Sequence, residues 1–102
     1  MPPVRRADAQ QAIRERAARS ERIVLVPHAI ARMRDRDIDF LDVQRCLRRG
    51  KAIRGPYIPP DSATGEVRYA VEAVVGGDCL RAIVELPDEP ADVVVITVFV
   101  VE

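Results

Sequence analysis

The sequence predicts an α+β domain in which N-terminal helices pack on one face of a small, mainly antiparallel β-sheet. Three observations predict it. Apolar residues recur at helical spacing up to Gly50, they alternate with period two from there on, and Gly76-Gly77 joins two β-prone runs by the two residues a tight hairpin needs. With 102 residues, 48% apolar and 31% charged, the chain can bury one modest core and has no room for a second full domain. It divides into a helical extension over residues 1–21 and a main domain over residues 22–102.

Residues 7–20 are good helix formers without Gly or Pro, but Ile13 and Ala17 supply only a thin apolar stripe, so this helix is expected to be weakly anchored. Ile23, Val24, Leu25 and Val26 are β-prone up to Pro27 and read as an edge strand or an apolar lead-in. Pro27 suits the first turn of a second helix, where its missing N–H costs nothing, and this helix runs to about Arg36. Ala29, Ile30 and Met33 would face the core. His28, Arg32 and Arg36 are spaced by four, drift only about 40° per step and form a cationic stripe. Asp39 is placed as the N-cap of a third helix over residues 40–49, with Phe40, Val43, Cys46 and Leu47 buried and Gly50 as its stop.

Residues 51–54 read as a short strand, and residues 55–65, with Pro56, Pro59 and Pro60, as a loop. Residues 67–75 and 80–86 form the hairpin strands. Closing the turn at Val75 and Asp78 sets Tyr69 opposite Val84, Val71 opposite Ala82 and Ala73 opposite Leu80 on one face. The other face then pairs Arg68 with Glu85 and Glu72 with Arg81, opposite charges worth roughly 0.2–1 kcal/mol per pair. Residues 87–92 turn the chain into a last strand over residues 93–101. That strand is so continuously apolar that both its faces are expected to be covered, and Thr97 is its one polar side chain.

No apolar run reaches the roughly 18 residues a membrane span needs. Met1, Pro2 and Pro3, followed by Arg5 and Arg6, lack the apolar core of a signal peptide, so a cytoplasmic protein without membrane contact is expected. Cys46 and Cys79 have no C-x-x-C spacing and read as reduced, buried thiols. A zinc site would need both of them, the single histidine and a carboxylate from unrelated elements, so no metal is expected.

Sixteen basic and sixteen acidic residues cancel over the chain, yet residues 1–54 hold fourteen basic and seven acidic side chains while residues 55–102 hold two and nine. Fifteen of the basic residues are Arg, which can bind phosphate bidentately and stack on bases. Any nucleic-acid surface is therefore expected in the first half; alternatively, the two oppositely charged halves simply pack together. The acidic sheet half suits a basic protein partner or a second copy of the chain, as a homodimer.

His28 can shuttle a proton, and a helix N-terminus favours its neutral form; its plainer role is a hydrogen bond at the helix start. Arg32 and Arg36 beside it could hold a scissile phosphate and offset charge developing on it, or form a solvated face neutralised by Asp35 and Asp39. Arg68 is a further phosphate ligand or simply the partner of Glu85. Thr97 is a phosphate ligand at the sheet centre or a β-former satisfied by a neighbour.

These residues have a familiar order. The run His28-Ala29-x-x-Arg32-Met33-x-x-Arg36-x-Ile38, then the helix over residues 40–49, Leu80-Arg81-x-Ile83-Val84 and Val95-Ile96-Thr97-Val98, resembles a bacterial domain-of-unknown-function family with an H-A-x-x-R-M-x-x-R-x-I signature. That family is similar to the RelE/ParE-like toxins, grouped with the barnase, EndoU, colicin and RelE superfamily. The resemblance spans about residues 23–101, so it makes residues 22–102 a RelE/ParE-like toxin domain. It implies helices on one face of a small antiparallel sheet and a metal-independent endoribonuclease without cofactor, acting in a toxin-antitoxin system. His28, Arg32 and Thr97 would be catalytic, and Arg32, Arg36 and, by a weaker correspondence, Arg68 would bind phosphate. RNA and an antitoxin are the implied partners. The rival is a non-catalytic protein-binding module of the same fold, a target-blocking toxin or a partner subunit. Two positions depart from the pattern: Val26 stands where a capping Ser or Thr is expected, and Asp37 where Gly is usual.

Overall fold

Gly76 and Gly77, with φ of 60° and 88°, close a two-residue turn between β3 (Arg68–Val75) and β4 (Asp78–Glu85). The register is the one the charges require. Tyr69 lies opposite Val84, Val71 opposite Ala82 and Ala73 opposite Leu80, while Arg68 meets Glu85 and Glu72 meets Arg81. β2 (Lys51–Tyr57) pairs antiparallel with β3, β5 (Val93–Val101) antiparallel with β4, and the short edge strand β1 (Ile23–Leu25) parallel with β5. The sheet order is β1-β5-β4-β3-β2. This computed structural model describes residues 5–60, 62 and 65–102; the expectations for the chain before Arg5 and for loop positions 61, 63 and 64 lie outside the described residues.

Three helices, α1 (Arg6–Ala17), α2 (Pro27–Asp35) and α3 (Phe40–Arg49), share one core with the sheet face that carries Tyr69, Val71, Ala82, Val84, Val95 and Val98. The protein is therefore α+β, with a mixed sheet. α1 is not weakly anchored. Its Ala9, Ile13 and Ala17 are at most 1% exposed, and the small alanines let its backbone lie close to the layer beneath. Gln10 adds a side-chain carbonyl that accepts the Ala52 N–H of β2 at 2.8 Å.

Pro27 occupies the first turn of α2, and Ala29 and Met33 are buried as expected, whereas Ile30 remains 37% exposed. Arg36 lies just beyond the helix as its C-cap. Asp37 then adopts φ 55°, its N–H bonding Arg34 O at 3.4 Å, and Ile38 N–H reaches back to Met33 O at 2.9 Å. This is a Schellman ending with buried Met33 and Ile38 as its apolar pair. Left-handed backbone is the reason Gly is expected at position 37. α3 begins at Asp39, whose carboxylate accepts the Asp42 N–H at 2.8 Å while Asp42 returns the contact at 3.2 Å. Gly50 ends α3 with φ −70°, so its smallness rather than its backbone freedom matters: a Cβ there would collide with Cys46 O and Val71 Cγ1.

Two strand expectations need correction. β2 continues through Gly55 and Pro56 to Tyr57, because it is an edge strand with register shifts, where a missing donor is tolerated. β5 is covered on one face only: Val93, Val95 and Val98 are fully buried, but Val94, Phe99 and Val101 lie half-buried on the opposite face. Both cysteines are free; Cys46 is buried, and burial pushes its thiol up to about 12, whereas Cys79 is only half-buried. No helix among the described residues is long and apolar enough to cross a membrane.

Two substitutions should move stability in opposite directions. Asp37→Gly relieves the left-handed backbone and should stabilise the fold by about 0.5–1 kcal/mol. Gly50→Ala overpacks the α3–β3 contact and should cost about 1–3 kcal/mol. Urea unfolding midpoints at constant m-value read both.

Candidate nucleic-acid interface

The basic excess of the first half is partly structural. Arg6 Nε donates to Gly55 O at 3.0 Å, and Arg14 donates to Gly50 O from Nη2 at 2.8 Å and from Nε at 3.2 Å. Arg16 Nη1 holds Pro87 O and Asp92 O, both at 2.8 Å, and Arg22 Nη1 holds Ala91 O at 3.0 Å. Four guanidiniums thus tie α1 and the turn after it to the carbonyls of β2, of the α3 C-terminus and of the β4–β5 connection. Such charge-assisted hydrogen bonds are stronger than neutral ones. Arg54 stacks on Tyr57 at 4.1 Å. These side chains are already engaged within the fold.

α2 carries the first candidate group. His28 is exposed in the first turn, and no side chain caps the N-terminus at Val26, so the departure noted in the sequence holds locally. The Arg32 side chain, one turn on, is 41% exposed and pairs through Nη1 with Asp35 at 3.5 Å. Its Nε is covered and has no hydrogen-bond partner. A covered guanidinium donor without an acceptor is uncommon, and only the outer nitrogens of Arg32 remain open to a ligand. Arg36 is exposed just past the helix.

Thr97 and Arg68 stand elsewhere. Period-two alternation from Val93 and Val95 would aim Thr97 at the helices, but β5 has a bulge: Val95 meets Val84, Ile96 is skipped, and Thr97 meets Ile83. Val98, not Thr97, therefore returns to the core. Thr97 sits on the face turned away from α2, and Arg68 shares that face, bound to Glu85 at 3.0 Å. The fold keeps His28 and Arg32 one turn apart on a helix, with Arg36 following, and does not bring Thr97 or Arg68 to them. Tyr69 is core, at 1% exposure.

Two further clefts of opposite sign lie on the surface. A groove of about 330 Å³ on α3 is lined by Leu41, Gln44, Arg45, Arg48 and Arg49. A cleft of about 440 Å³ at the start of β3 and the end of β4 is lined by Glu66, Asp88 and Glu89 among others. Reading of the sequence for site residues missed the α3 arginines. Their signal was present, in the i, i+3, i+4, i+7, i+8 spacing of residues 41, 44, 45, 48 and 49 on the polar side of the helix.

A family profile described as a domain of unknown function, DUF4258, matches residues 25–100. α1 and most of β1 precede the matched stretch, although they belong to the same core. No curated protein and no solved structure matches the chain.

On the open sheet face, Arg81 grips Glu72 Oε2 at 2.7 Å and the Cys79 thiol donates to Glu72 Oε1 at 3.2 Å. The Arg81 hydrogen bond, aided by the thiol, holds the Glu72 carboxyl below its ordinary value of 4.5. The stability this carboxylate contributes is complete above that value and lost as pH falls through the lower folded-state value. Glu72→Gln should therefore flatten the acid limb of the stability–pH curve, read by chemical denaturation from pH 6 downward. An acid limb unchanged by the substitution contradicts the assignment.

Proposed function

The chain belongs to the DUF4258 family of domains of unknown function, and we propose that it is a toxin-like, metal-independent endoribonuclease with a RelE/ParE-like fold, acting in a toxin-antitoxin system. The observation that carries this reading is the exposed His28 one helical turn before the part-exposed Arg32, with the exposed Arg36 following. A phosphodiester would complement that group in charge. Its non-bridging oxygens would accept from Arg32 and Arg36, which also offset the charge that builds on them during transfer. His28 would take the 2′-hydroxyl proton as the 2′ oxygen bonds to phosphorus, and the 5′ oxygen would leave with a proton from water. Thr97 and Arg68, across the sheet, take no part in this step.

The rival reading, a non-catalytic module that binds an antitoxin or another protein, is favoured by the open sheet face. Val94, Phe99 and Val101 are half-buried there without a covering layer, and Val24 and Val74 are 40% and 69% exposed.

Incubating purified protein with single-stranded RNA in the presence of a chelator separates the two. Cleavage is expected, falling by about 10²–10⁴-fold in His28→Ala, the usual weight of one general base. Thr97→Val should cleave as the parent does. Intact RNA with the parent protein, or equal cleavage by His28→Ala, overturns the enzymatic reading.

A further inference from the structure

Four arginines of α1 and its following turn are tied to backbone carbonyls, Arg32, Arg68 and Arg81 face carboxylates, and Arg54 lies on a ring. α3 is different. Arg45, Arg48 and Arg49 are all exposed, and their side chains make no hydrogen bond or ion pair with any described residue. They border one groove of about 330 Å³, at the lower end of the range that holds a small ligand. Two further side chains complete it. Leu41 is 54% exposed at the groove, an apolar surface on the N-terminal side of the cations. Gln44 spends its amide NH₂ on Ala17 O at 2.9 Å, which leaves its carbonyl oxygen as an acceptor.

We propose that this α3 groove is a binding site for single-stranded RNA, with Arg45, Arg48 and Arg49 on successive backbone phosphates and Leu41 and Gln44 against an unstacked base. The inference rests on the reading of the protein as RNA-directed and assigns it a second contact, separate from His28. An acidic peptide would also satisfy the three cations, and competition by polyglutamate separates it from RNA. A base offers a flat apolar face and N–H donors on its edge, and Arg planes stack on it as well. Paired RNA would hide those groups inside its helix, which is why the site suits single strands. Arg48 and Arg49 also complement the negative end of the α3 dipole, but that favours cations without requiring a groove or three free guanidiniums.

The test uses the full chain carrying His28→Ala, so that RNA is not consumed, and a fluorescent 12-nucleotide single-stranded RNA followed by anisotropy across salt concentration. Arg45→Gln/Arg48→Gln/Arg49→Gln in that background should weaken binding at least tenfold at low salt and make the log–log salt slope shallower by about 2, since each single-strand phosphate contact contributes about 0.7. A matched removal of charge elsewhere, Arg5→Gln/Arg19→Gln/Arg34→Gln, should change affinity less than threefold. Thermal melting confirms that both triple variants fold. Equal losses from the two triples, an unchanged slope in the α3 variant, or displacement by polyglutamate as effective as by unlabelled RNA overturns the proposal. Parent protein that binds RNA through α3 but never cleaves it would end the endoribonuclease reading and uphold the groove; cleavage with α3-independent binding would do the reverse.

Discussion

Everything else in this fold follows from the register of the β3–β4 hairpin. A two-residue turn at Gly76-Gly77 admits one pairing, and that pairing puts Tyr69, Val71, Leu80, Ala82 and Val84 on one side of the sheet. A slip of one residue would turn one strand over against the other, burying either Arg81 and Glu85 or Arg68 and Glu72 under the helices. The ion pairs at 3.0 and 2.7 Å on the far side reinforce the same choice. Once the buried face is set, β5 must present Val93, Val95 and Val98 to it, and α2 and α3 dock where those valines and Val71 leave apolar surface.

Arginine serves two ends in this chain. Guanidiniums of α1 and its following turn reach the carbonyls of Gly50, Gly55, Pro87, Ala91 and Asp92 and so tie the helix to the layer beneath. A planar group with several donors can bridge two carbonyls at once, as Arg16 does, which an ammonium on a flexible stem does less well. The charge asymmetry between the halves is thus in part an internal adhesive. What is left for an external partner is concentrated on α2 and α3, the two helices farthest along the basic half.

The helix layer and the open sheet face consequently present different chemistry. On α2 an exposed imidazole and a part-exposed guanidinium stand one turn apart, and on α3 three free guanidiniums frame a groove. The opposite face pairs its charges internally and exposes valine, isoleucine and phenylalanine between them. A polyanion matches the first surface, an apolar protein face the second, and the two could be occupied together because the sheet lies between them.

The sequence alone determined what depends on local geometry. Turn chemistry, period-two alternation and opposite charges at matched offsets settled the hairpin register; Asp39 and Gly50 bounded α3, and Pro27 began α2. The left-handed residue at position 37 was legible as a place where glycine is usual. Tertiary structure decided what depends on neighbours far along the chain. Ile13 and Ala17 look like a thin stripe until Ala9 joins them and close approach makes small residues an advantage, and β2 runs past Pro56 because no described strand pairs with its outer edge. The site shows the same division. The spacing of His28 and Arg32 is a property of one helix and was readable, whereas the direction of Thr97 is a property of the pairing between β5 and β4. A single unpaired residue, Ile96, reverses that direction, because a strand has only two faces and one extra position exchanges them.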